Sequence, residues 1–169
     1  MNIVKFIKTP DFADQINNLF ESEKKRLLEF IPSVDIQHIG GTSIPDSISK
    51  GDLDINVRVK KEDFNGIVKR LKNIYEVNQP ENWTNGFASF KDDLRDLGVQ
   101  VTTIGGSEDH FIAQRDYLRN HPKVLEELNI LKQKFEGKDM DEYRHEKSRF
   151  FDNLNSEIAL DKRWFGTIN

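Results

Sequence analysis

Apolar and polar positions divide the chain into a mixed first part and a helical second part. In "DLDINVRV", residues 52–59, the two kinds alternate strictly, which predicts a strand. Leu53, Ile55, Val57 and Val59 face one way, and Asp52, Asp54, Asn56 and Arg58 the other. A shorter alternation, "VDIQHI" over 34–39, predicts a second strand that stops at Gly40 and Gly41. Before it, Phe12, Ile16, Leu19, Phe20, Leu27, Leu28 and Ile31 fall near helical spacing. They predict a helix over 11–31, interrupted by the charged run "ESEKKR" and ended by Pro32. Over 61–75, Phe64, Ile67, Val68, Leu71, Ile74 and Tyr75 form one helical stripe with Asp63 as N-cap. Strands follow around 86–91 and 97–104, the second rich in β-branched residues.

From Glu108 the pattern is helical, with helices over about 109–120, 122–136 and 139–159. Val124, Leu128, Leu131 and Phe135 form the seam of the middle one, which Gly137 terminates. In the last, Met140, Tyr143, Phe150, Phe151, Leu154 and Ile158 point inward. The chain therefore reads as α+β: a core over residues 1–107 with a small mixed sheet and flanking helices, then a helical appendage over 108–169. The join "GGSED" is too short for a free linker, so the appendage is expected to dock on the core, possibly as one domain.

Composition narrows the function. At 169 residues the chain can bury a core without disulfides, and it contains no cysteine, which excludes thiolate zinc sites and cysteine nucleophiles. A net charge of −4 argues against a nucleic-acid partner. No run approaches the roughly 20 apolar residues of a membrane span, and "MNIVKFIKTPDF" has no signal-peptide pattern. A soluble, cytoplasmic protein is expected. His110, His121 and His145 lack metal-ligand spacing.

The chemistry concentrates between His38 and Val59. Asp52 and Asp54 share a strand face, roughly 6.5–7 Å apart along it, close enough to bridge hard divalent cations. Alternate Asp residues also suit any solvent-facing strand. Upstream, Gly40 and Gly41 permit close backbone approach, and a turn opening at Thr42 and Ser43 would aim amides and hydroxyls at an anion. The same residues also read as a glycine turn whose hydroxyls cap a short helix.

"GGTS" followed after ten residues by "DLDI" resembles the signature of the polymerase-β-like nucleotidyltransferases. More narrowly, "HIGGTSIPDSISKGDLDINVRV", "RDYLRNHPKVLEELNILKQKF" and "YRHEKSRFFDNL", in that order, resemble the GrpB (UPF0157) family over roughly residues 34–155. The resemblance implies a nucleotidyltransferase-like fold. It places Gly40, Gly41, Thr42 and Ser43 on a phosphate-facing turn and gives Asp52 and Asp54 to catalytic Mg²⁺ (or Mn²⁺). A third carboxylate would stand near Gln100, where a neutral amide cannot act as a base. The implied activity is binding of a nucleoside triphosphate, with transfer of a nucleotidyl group to an acceptor. The alternatives are a non-catalytic nucleotide- or phosphometabolite-binding module, or a protein-interaction module that works through its helices.

Lys50, Arg115, Arg119 and Lys147 are further candidate phosphate contacts. Arg115 and Arg119 share a helix face, and surface ion pairs with Asp116 or Glu146 are their other reading. His38, in phase with Val34 and Ile36, is either a half-buried backbone-bonded histidine or a contact behind Gly41. Tyr143 and His145 are weaker candidates, and Trp83 and Trp164 are candidate stacking platforms or packing residues.

Overall fold

The computed structural model describes residues 3–8 and 12–165, with side chains (Lys8 apart) through residue 161. The strands are β1 Ile7–Lys8, β2 Asp35–Ile39, β3 Ile48–Ser49, β4 Leu53–Val59, β5 Glu76–Val77, β6 Phe87–Asp92 and β7 Leu97–Thr103. The helices are α1 Ala13–Phe30, α2 Phe64–Leu71, α3 Phe111–Asn120, α4 Pro122–Phe135 and α5 Met140–Phe165. The fold is mixed α+β, as the alternation and stripes anticipate.

Five strands form one sheet in the order β2-β4-β7-β6-β5. β4 and β7 run parallel, and every other neighbouring pair is antiparallel. Alternation in β4 sends Leu53, Ile55 and Val57 to the face covered by α1 and α2, where they join Leu27, Leu71 and Phe90 in the main core. In register, β7 gives Leu97, Val99 and Val101 to the same face. The opposite face carries Asp54, Asn56 and Arg58 beside Gly98, Gln100 and Thr102. Helices α3–α5 pack on that side around Leu118, Leu125, Leu128 and Leu154, a cluster that takes in Ile44 from the loop after β2.

The charged run inside α1 does not break the helix. Glu23 turns inward, 2% exposed, and accepts hydrogen bonds from Tyr75, Arg26 and Arg95. Burial is thus compensated by three donors, as a buried carboxylate requires. Two expectations are corrected. Asp63 occupies the N-cap position of α2 but makes no side-chain cap bond, because a 3₁₀ turn over Lys61–Asp63 already leads into the helix with Asp63 in helical conformation. The buried face of α4 is Leu125, Leu128, Lys132 and Phe135, rotated from the Val124–Leu131 seam, and it contains a lysine.

Candidate functional site

The loop from β2 to β4 crosses the polar side of the sheet as one 3₁₀ turn, Gly41–Ser43, followed by β3, which pairs with β1. Gly40 has φ 75 and ψ −175, a conformation that essentially only glycine adopts. A Cβ there would stand 2.5 Å from Asp54 Oδ2, and a Cβ on Gly98 2.7 Å from Oδ1. Asp54 is thus clasped between Gly40, just past the end of β2, and Gly98 of β7. Gly41 lies as close to α4: its Cβ would stand 3.3 Å from Lys132 Nζ. The double glycine is needed because the backbone passes directly over a carboxylate and an amine of the protein itself.

The hydroxyls after the glycines turn away from the cavity. Ser43 Oγ donates to Gly40 O at 2.6 Å, and Thr42 Oγ1 donates to Asp52 O at 3.0 Å. Since the Thr42 proton is committed to Asp52, His38 Nε2, 2.9 Å from Thr42 Oγ1, carries the hydrogen between them. Strand phase puts His38 on the α1 face, stacked on Phe20 and opposite to Asp54. Burial, with Arg119 and Arg115 nearby, lowers its pKa to about 4, so it is a neutral strut near pH 7.

A cavity of about 510 Å³ opens between the polar sheet face and α3–α5. That is within the usual size of a small-molecule site, roughly 300–1,000 Å³. Its lining brings together Gly40, Gly41, Asp54, Gln100, Arg115 and Lys147 from the sequence-derived candidates. Thr42, Ser43, His38 and Arg119 line a separate recess behind the turn, and Arg119 donates to Ser43 O. Lys50 and Asp52 pair with each other at 3.5 Å outside the cavity lining. Tyr143 is packed against Phe6 and Phe135, His145 is exposed, and Trp83 is held on Phe90 with its indole N–H on Asn78 O. The Trp164 side chain lies outside the described residues.

Charge in the cavity is one-sided. Arg115, Lys132, Arg144 and Lys147 face a single carboxylate, Asp54, among the described lining residues. Burial, reinforced by Asp52, raises Asp54 to about 6 against the pull of Lys147 and Lys50, while the Gln100 amide donates to it. Burial, with Lys147 beside it, lowers Lys132 to about 7. Burial also lowers Lys147, and Asp54 opposes that. Arg115 donates to Gln37 Oε1 and His38 O and also pairs with Asp116 at 2.8 Å, as its ion-pair reading anticipated, while Arg144 pairs with Asp141 at 3.1 Å. Gln100 Oε1 and Asn56 Oδ1 are buried acceptors without a donor among the described residues.

The Mg²⁺ that the resemblance implies has a poor donor set here. Asp54 is in the cavity, whereas Asp52 lies before β4 and is bound to Lys50. Gln100, in register with Asn56 and on the same face as Asp54, supplies an amide that donates to Asp54. Among the described residues no three His, Cys, Asp or Glu side chains gather as a metal site. A pair of catalytic metal ions does not fit this arrangement.

Sequence reasoning missed Lys132. It sits among Leu125, Leu128 and Phe135 at helical spacing, and a lysine in phase with an apolar seam is the signal that marks it. Lys147 follows the same rule on α5, between Tyr143 and Leu154.

A family model described as GrpB protein matches residues 7–157. A UPF0157 protein of Vibrio cholerae is 30% identical over 164 residues, which covers 89% of this chain and 81% of the relative. The UPF0157 protein YqkA of Bacillus subtilis is 33% identical over 120 residues, 67% of this chain and 35% of the relative. The crystal structure of the conserved protein GrpB from Enterococcus faecalis matches with TM-score 0.76 at 22% identity, over 95% of this chain and 99% of that one. The Cid1 poly(U) polymerase, solved with MgGTP bound, matches with TM-score 0.52 at 10% identity, over 72% of this chain and 40% of that one. The two structural likenesses are of fold, and the fold is nucleotidyltransferase-like.

Proposed function

The chain belongs to the GrpB family, and from that premise we propose that its cavity binds a nucleotide or another phosphorylated small molecule. The excess of cations carries this reading: among the described lining residues four basic side chains stand against one carboxylate in a half-open cavity of ligand size, with Arg115 and Arg144 also paired outward to Asp116 and Asp141. Such a set repels itself when empty and is relieved by an anion. Phosphate oxygens suit it, because arginine and lysine both donate to them with charge assistance. A thermal-shift screen of nucleotides and phosphorylated metabolites tests the reading. A true ligand at 100-fold excess over its dissociation constant should add about 2.7 kcal/mol of stability. Failure of every phosphorylated compound, with unphosphorylated analogues equally inert, would refute it.

A second reading, nucleotidyl transfer to an acceptor, is supported by Asp54. A carboxyl raised to about 6 is matched to general-base work near neutral pH. Pyrophosphate release from nucleoside triphosphates across an acceptor panel tests this. Turnover that disappears in Asp54→Asn supports it, and tight binding without release leaves the binding reading alone.

A further inference from the structure

Lys132 is a buried cavity group that no motif announced. It is 4% exposed yet borders the cavity. Two of its three N–H donors are committed, to Ser47 Oγ at 3.1 Å and Ile48 O at 2.5 Å. These bonds fix the amine under the Gly41 turn, and no acceptor among the described residues takes the third. An apolar side chain would fit this seam position between Leu128 and Phe135 without the cost of burying an amine. Lys147, half-buried, reaches the same cavity from α5, although its charge disfavours that of Lys132. In the fold's usual chemistry, acidic residues hold metal ions that neutralise the ligand's phosphates. Here no third acid joins Asp52 and Asp54 among the described residues, Asp52 is paired with Lys50, and amines stand around Asp54.

We propose that Lys132 is the phosphate anchor of this cavity and that, together with Lys147, it lets a phosphorylated ligand bind without a divalent cation. The inference rests on the phosphate-binding reading and sharpens it. The ligand's anionic end meets the Lys132 amine under the Gly41 turn and Lys147 from α5, and its charge favours their protonated forms. Asp54 then serves as their counter-charge when the site is empty.

Calorimetric titration of the whole chain with ATP, and separately with inorganic tripolyphosphate, tests this in EDTA and in excess Mg²⁺. Binding in EDTA at least as tight as in Mg²⁺ is expected. Lys132→Met should weaken it about 10- to 100-fold, the effect of removing one charged hydrogen bond. Lys147→Met should weaken it in the same direction. Circular dichroism melts check that each variant folds. If Lys132→Met does not, the wild-type titration and Lys147→Met still decide. Binding that requires Mg²⁺, or an affinity unchanged by Lys132→Met, overturns the inference while leaving the phosphate site standing. Absence of binding by both probes under both conditions overturns the phosphate-site reading and this inference together.

Discussion

At the scale of single residues, Gly40 is held by two independent constraints. Its backbone is in a glycine-only region, and a Cβ would collide with Asp54. Gly105 shares the φ of 75 but has open space around its Cβ position. Gly105→Ala should cost about 1–2 kcal/mol, the left-handed penalty alone. Gly40→Ala should cost about 2–4 kcal/mol, with steric displacement of Asp54 added. Urea unfolding of the two variants measures the difference, and equal losses would remove the collision from the account. His38 gives a pH prediction. Its folded pKa, about 4, lies below its ordinary 6.5, so the unfolded chain binds more protons between those values. Its contribution is complete above pH 6.5 and is lost as pH falls toward 4. At pH 4.5 the loss is about 2–3 kcal/mol. His38→Gln should flatten this slope in denaturant melts run at pH 7.5 and 4.5.

At the scale of elements, Arg58 joins the sheet to the segment before α3. It donates two bonds to Asp109, each at 2.7 Å, and a third to Asp35 at 2.8 Å. Asp109 also accepts from Gly105 N, so one carboxylate orders the turn from β7 into α3. Asp109 holds Arg58 above its ordinary pKa, and Arg58 holds Asp109 below its own. Arg58→Met should destabilise the protein by about 2–4 kcal/mol, because the half-buried carboxylates keep their charge and lose their partner. Hydrogen exchange should rise first in the opening turn of α3. The strand that carries Arg58 was legible from its sequence because strict alternation leaves one way to bury Leu53, Ile55 and Val57. The two-residue strands β1, β3 and β5 were not legible, since two residues show no period. The α4 seam was misread by one position because an apolar count discards the lysine that completes the true face.

At the scale of the molecule, the cavity belongs to no single element. β2, β4 and β7 supply its floor, and α3, α4 and α5 its wall. The sequence disclosed the floor, because Gly40, Gly41 and Asp54 lie within one stretch. It left the wall half hidden: Arg115 and Lys147 were among the candidates, but Lys132 and Arg144 were not. Which charges meet depends on helix docking, and a local motif does not encode that. Ligand binding should therefore protect α5 around residues 144–151 in hydrogen-exchange mass spectrometry and leave α1 and α2 unchanged. Protection confined to α1 would place the ligand in the recess behind His38 instead.

The long separation between floor and wall also has a consequence in time. Roughly a hundred residues lie between Gly40 and Lys147. At a synthesis rate of about 5–20 residues per second, the floor waits roughly 5–20 s for the helix that covers it. Until Leu118 and Leu128 are made, Ile44, which ends up buried against them, lacks those partners. The nascent chain thus leaves Ile44 exposed beside an uncovered sheet face, so slowed translation before α3 is complete should be where aggregation of newly made protein begins.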